Sequence, residues 1–163
     1  MRKLRRDEYR ILHLFAASQG LELESIAHNP MALEVGGARY HDVFDVPIHV
    51  ARVLGRVGWL YSAGLYLGTI DRSGFIPSLP LAHRLSRLCS HLIPCVRVTW
   101  EGEKFFLYGR RVLEENIEVW SPGLRIVVNP LGEAIGWGLG AERGGSRMIE
   151  PIKDLGWYLR RGG

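Results

Sequence analysis

The sequence predicts an α+β fold in two parts: an N-terminal α/β domain over residues 1–92, then a small closed β-barrel over residues 93–163. The first part reads as mostly antiparallel sheet with about three helices. Three observations lead there. Helical and extended patterns alternate before Pro94, short alternating strands with Gly/Pro turns follow it, and 163 residues suit one large domain or two small ones.

Leu4, Ile11, Leu12, Leu14 and Phe15 recur near helical spacing, so residues 4–18 read as an amphipathic helix that Gly20 ends. Residues 31–35 and 38–46 flank Gly36-Gly37 and read as a β-hairpin. Pro47 opens a second helix over about 47–57, and the aromatic run 59–70 reads as strand. Gly64 and Gly68 fall there as bulges or points of close approach. Asp71-Arg72-Ser73-Gly74 has turn chemistry, and Pro80 begins a third helix over about 80–91.

Beyond Pro94, Val96, Val98 and Trp100 alternate, Lys104–Tyr108 is a strand candidate, and Gly109–Glu115 reads as one or two helical turns. Asn116–Trp120, Leu124–Val128 and Ala134–Gly140 are extended, separated by Ser121-Pro122-Gly123 and Asn129-Pro130-Leu131-Gly132. Met148–Arg161 closes the pattern as strand or short helix. Five or six short strands in this span suit a closed barrel.

Hydrophobic residues make up 47% and charged residues 23%, which excludes intrinsic disorder. No apolar run reaches the roughly 18 residues that span a bilayer, and no apolar segment follows the basic start as in a secretion signal. Cys89 and Cys95 are too few for a disulfide scaffold and read as buried thiols of a cytoplasmic chain.

Catalytic patterns are missing. None of the six histidines forms an HExxH pair, no GxSxG elbow occurs, and adjacent Glu114 and Glu115 point in different directions. His91 between Cys89 and Cys95 gives no zinc spacing. Gly136, Gly138 and Gly140 lie within a strand rather than in a strand–turn–helix, so they suit a curved barrel strand better than a nucleotide loop. No enzyme activity, cofactor or metal is expected.

The cations are more informative. Net charge is +4, and lysine occurs only at 3, 104 and 153, so 18 of the 21 cations are arginine. Arginine supplies a planar fork for phosphate and a face that stacks on bases. A genome or habitat that favours arginine leaves the same bias. Residues 143–163 carry Arg143, Arg147, Lys153, Arg160 and Arg161 against Glu150 and Asp154, whereas residues 93–142 are slightly acidic. Trp157 and Tyr158 interleave with these cations, and Arg110-Arg111 stands at the start of the expected helical turn, where backbone N–H groups favour phosphate. Cation, helix start and aromatic are the elements of RNA binding; a solvated basic surface contains them too.

Two groups of motifs carry a family resemblance. Phe105–Leu113 (FFLYGRRVL) resembles the opening of a PUA domain, an RNA-binding pseudo-barrel; Leu124–Asn129, Leu131-Gly132 and Gly136-Trp137-Gly138 resemble its later strands. Asp154–Arg160 (DLGWYLR) and Ser62–Thr69 (SAGLYLGT) are similar to segments of the Nip-seven family of large-subunit ribosome biogenesis factors, and Met1–Leu4 also fits. The resemblance implies a pre-PUA N-terminal domain followed by a PUA-type β pseudo-barrel, and no catalysis. It implies binding of single-stranded, uridine-rich pre-rRNA during assembly of the large ribosomal subunit.

The matching positions are Arg147, Lys153, Arg160 and Arg161, with Arg110 and Arg111 as neighbours. The N-terminal domain would then meet pre-ribosomal or RNA-processing proteins. A monomeric archaeal member in the cytoplasm is expected, or a nucleolar one if the chain is eukaryotic; no membrane contact is expected. The competing expectations are a protein-interaction adaptor whose barrel has lost RNA contact, and an accessory to RNA modification.

Overall fold

The computed structural model describes all residues except 35, 37, 38, 58–60, 90, 91, 158, 159 and 161–163. The chain divides into two compact units, Met1–Leu81 and Ala82–Gly163. The division falls within a helix.

The first unit is an antiparallel five-stranded sheet in the order β1-β2-β3-β4-β5. Its strands are β1 (Arg2–Lys3), β2 (Pro30–Glu34), β3 (His41–Asp45), β4 (Leu65–Asp71) and β5 (Gly74–Pro77). The expected hairpin is β2–β3, with Ala32 opposite Val43; part of its Gly-Gly turn lies outside the described residues. Helix α1 (Arg6–Ser18) presses Leu12, Phe15 and Ala16 inward, and the Phe15 and Phe75 rings meet edge-on at 4.8 Å. A short α2 (Leu23–Ile26) had no clear sequence signal, and α3 (Ile48–Leu54) follows Pro47 as expected. The expected strand 59–70 is shorter: residues 58–60 are not described, and β4 starts at Leu65.

Gly68 shows why a glycine is needed in β4. Its φ is +150°, and a Cβ there would run into the Ile76 carbonyl and the Phe75 ring. Asp71 closes the β4–β5 turn by accepting from the Ser73 amide at 2.7 Å. Helix α4 (Leu79–Ser86) begins at Ser78 rather than Pro80, because the Ser78 hydroxyl accepts from the Leu81 amide at 3.1 Å.

The second unit is a nearly closed six-stranded barrel in the order β7-β11-β10-β9-β6-β8. Its strands are β6 (Val96–Val98), β7 (Val112–Leu113), β8 (Ile117–Val119), β9 (Gly123–Val128), β10 (Ala134–Arg143) and β11 (Ser146–Asp154). Val96, Val98, Phe106, Val112, Val127, Ile135 and Ile149 form its core.

Two expectations are corrected here. Lys104–Tyr108 is not strand but part of helix α5 (Trp100–Leu107), started by Thr99, whose hydroxyl accepts from the Gly102 amide at 3.1 Å. Gly109–Glu115 is not helical but a loop, then β7, then a 3₁₀ turn at Glu114–Asn116. The apolar run of 105–108 suits either structure, and the cap at Thr99 with Glu101 and Glu103 in the first turn decides for helix. Gly136, Gly138 and Gly140 are barrel-strand glycines, as expected. A Cβ on Gly138 would lie 2.6 Å from an Ile149 methyl and 2.8 Å from one of Val127.

The thiol expectation also changes: Cys89 and Cys95 form a disulfide, with Cα atoms 5.5 Å apart. The turn after α4 folds back, with the Leu92 and Ile93 amides both donating to the Leu88 carbonyl, and this local reversal brings the sulfurs together. His91 lies outside the described residues. Closing so small a loop restricts the unfolded chain by about 2 kcal/mol. Denaturant unfolding of Cys95→Ser is expected to show that loss. Added reductant should then lower the stability of the parent chain but not of the variant.

Candidate nucleic-acid interface

The β10–β11 hairpin determines where the cations of the second unit point. Glu142 stands opposite Arg147, Ala141 opposite Met148, and Leu139 opposite Glu150. Strand side chains alternate between faces, so Arg147 projects from one face while Arg143 and Glu150 project from the other. Arg111, just before β7, joins that second face. Arg111 and Arg143 both reach the Glu150 carboxylate, at 3.2 and 3.4 Å. Their side chains are half or more exposed, and two guanidinium groups on one carboxylate leave a unit of positive charge uncompensated.

Exposed ion pairs of this kind are worth at most about 1 kcal/mol, so an incoming phosphate can redirect them at little cost. Arg110, the residue before Arg111 in the chain, is exposed, and its guanidinium has no side-chain partner among the described residues. These two arginines do not start a helix: they follow the C-terminus of α5, where the Arg110 amide donates to the Phe105 carbonyl at 2.8 Å. Their value for phosphate is side-chain charge alone. Lys153 is half-buried opposite Trp137, beyond a bulge at Trp137/Gly138 that resets the alternation onto the Glu150 face.

Arg147 is separate from this group. Its guanidinium lies over the Trp120 ring, 5.0 Å from the centroid, a cation–π contact. The Trp120 indole nitrogen is buried without a partner among the described residues. Nearby, Arg125 donates to the Ser121 hydroxyl at 3.1 Å and to the Leu124 carbonyl at 3.0 Å, and burial pulls its pKa down.

Arg160 has a different task. Its Nη1 and Nη2 donate to the two oxygens of the nearly buried Asp154 carboxylate at 2.8 and 2.9 Å, and Nη1 also donates to the Leu107 carbonyl. Asp154 raises the Arg160 pKa above its ordinary value. This bidentate clamp ties the C-terminal turn to the end of α5. Arg161 lies outside the described residues.

The expected six-residue site is therefore divided: Arg111 meets Glu150 with Lys153 on the same face by register, Arg110 is exposed next to Arg111 in the chain, Arg147 stacks elsewhere, and Arg160 is engaged internally. In the sequence Arg143 is one more cation of a basic terminus; only the β10–β11 register brings it to Glu150 alongside Arg111. Trp120 gave no signal beyond its position before a turn. Among the described residues, no group of three or more His, Cys, Asp or Glu could hold a metal ion. No helix there is long and apolar enough to cross a membrane.

A family model described as the UPF0113 PUA domain matches residues 94–163. A conserved PUA domain protein from Thermoplasma acidophilum has the same fold, with a TM-score of 0.55 at 13% identity over 94% of this chain and 95% of that one. A mixed α+β unit with a PUA-like barrel bearing an arginine cluster defines a PUA-domain protein, a class that generally binds RNA. The UPF0113 protein of Aeropyrum pernix is 41% identical over 156 residues, 96% of this chain and 89% of that protein. The chain belongs to the UPF0113 family.

Proposed function

We propose that this protein is an RNA-binding assembly factor of the large ribosomal subunit, acting in the cytoplasm on single-stranded, uridine-rich pre-rRNA and catalysing no reaction. The observation that carries the reading is the exposed pair Arg111 and Arg143 converging on the single carboxylate of Glu150, with exposed Arg110 next to Arg111 in the chain. The Nip-seven resemblance supports the ribosomal setting, and the PUA-domain match supports RNA as the ligand. In this reading the cluster and Lys153 grip phosphates, Arg147 and Trp120 offer a stacking surface, and Arg160 holds the C-terminal turn in position. Arg161 extends the charge. The N-terminal unit is left for pre-ribosomal proteins, and the factor works as a monomer.

Each phosphate neutralised on a single strand contributes about −0.7 to the log–log slope of affinity against salt, so four to six contacts give roughly −3 to −4. Fluorescence anisotropy with a uridine-rich strand across a salt series measures it. Changing Arg110, Arg111 and Arg143 together to alanine is expected to make the slope shallower by about 2. A slope that stays the same would remove these residues from the interface, and salt-independent binding of the parent would overturn the whole reading.

A further inference from the structure

The sheet of the first unit buries one face fully and carries a partly open groove on the other. Ala32, Val43 and Leu67 are fully buried on the first side. The other side carries a groove of about 590 Å³, walled by Phe44, Tyr66, Tyr40 and Tyr61, with Asp42 and Glu34 among its polar groups. Tyr61 is 85% exposed and Tyr40 42%, uncommon for rings that serve only packing. Phe44 and Tyr66 are cross-strand neighbours with centroids 5.2 Å apart.

The polar groups of this groove are arranged in advance. Asp42 Oδ1 accepts from the Thr69 hydroxyl at 2.9 Å and the Tyr66 hydroxyl at 3.1 Å, and those two hydroxyls are 2.7 Å apart. The triangle fixes both the carboxylate and the Tyr66 ring. Asp42 Oδ2 accepts no hydrogen bond from the described residues. Burial raises the Tyr66 pKa above its ordinary value. Glu34 is already engaged by Arg2 at 2.8 Å and Arg5 at 3.2 Å, so Asp42 is the carboxylate left for a ligand. Among the described residues, no lysine or arginine lines the groove.

Three tyrosine rings above the buried Phe44, a held carboxylate and no cation make a poor surface for a polyanion. They suit a positive alkylammonium group, which ring faces attract and a carboxylate neutralises. The groove is also larger than one ammonium needs, and exposed tyrosines are typical anchors of protein contacts. We infer that the Tyr40–Tyr61–Tyr66 groove, with Asp42 at its side, binds a lysine-type alkylammonium side chain presented by a basic segment of a partner protein, N-methylated lysine most tightly. Methylation lowers the cost of dehydrating the cation while keeping its charge. This inference does not depend on RNA binding at the barrel.

The test uses the full chain and two peptides: one with a central trimethyl-lysine among lysines, the other with norleucine at the central position. Tyrosine fluorescence or ring NMR shifts report binding. The trimethyl-lysine peptide is expected to bind, with Tyr61→Leu and the norleucine analogue each weakening it by roughly 2- to 30-fold, the span of one cation–π contact. Tyr61 is exposed enough to be replaced without touching the core, and Asp42→Asn gives a second, independent loss. Equal binding of the two peptides, or no effect of Tyr61→Leu, would overturn the inference. Free spermidine binding as tightly as the peptide would overturn the assignment to a protein partner. A uridine-rich strand that shifts the same tyrosines while the peptide does not would replace it with RNA.

Discussion

Glu8→Gln is expected to lower the unfolding free energy by about 3 kcal/mol at neutral pH. The Glu8 side chain is only 4% exposed, and its oxygens accept from Arg2 Nη1 and Nη2 at 2.7 and 2.6 Å and from the Arg5 amide at 2.7 Å. The Arg2 guanidinium, acting against the cost of burial, holds the Glu8 carboxyl at about 2 against an ordinary 4.5. A folded-state pKa below the unfolded one means that the unfolded chain takes up the proton first as pH falls. The stabilisation is therefore fully present above about 4.5, declines below it, and is gone near 2. Urea unfolding across that range should show the parent and Glu8→Gln converging at the acid end. A constant difference would mean that the pair acts through packing instead of charge. Arg2→Met should be the worse substitution, at about 3–5 kcal/mol, because it leaves the buried carboxylate without its cation. Arg2 lies in β1 and Glu8 in the first turn of α1, so the pair joins helix to sheet in the first unit.

Phe106→Ala is expected to cost about 3–5 kcal/mol of stability. The Phe106 ring is fully buried in the core of the second unit, and it lies on the part of β10 where Gly136 and Gly138 leave room. A Cβ on either would come within 2.9 and 3.1 Å of the ring. The glycines form a flat floor, the ring of α5 fills it, and alanine would leave a cavity that backbone cannot close. Chemical denaturation of the full chain measures the loss. A change under about 1 kcal/mol would mean that the barrel collapses onto the vacancy, contrary to the close packing described.

How far the sequence could be read is clearest around this same helix. The barrel strands with strict alternation or flanking turns, such as β9 and β10, were legible because period two and Gly/Pro punctuation are local properties. Residues 105–108 were not, since a four-residue apolar run satisfies both periods; the decision came from a hydrogen bond at Thr99, outside the run. The disulfide was missed for a related reason: six residues of separation neither require nor forbid a bridge until the turn after α4 brings the two Cα atoms together.

The candidate interface divides along the same line. Charge segregation marked the end of the chain as basic, which counting alone can do. Counting cannot assign faces. Arg143 and Arg147 are four apart, yet a tight turn at Gly144-Gly145 places them on opposite strands and opposite faces, while Arg111 comes to Glu150 across the sheet. Arg160 looked like one more free cation until the fold gave it Asp154 and the Leu107 carbonyl.

By itself, then, the amino-acid order determined the α+β class, the glycine-floored strand, the arginine-rich terminus and the resemblance to a PUA domain, because each depends on composition or on spacing within one segment. Tertiary structure alone decided which arginines stand together, which one is consumed as a clamp, and that three tyrosines gather beside Asp42. Those outcomes depend on strand register and on ion pairs between residues far apart in the chain, and a neighbour across a sheet leaves no local trace.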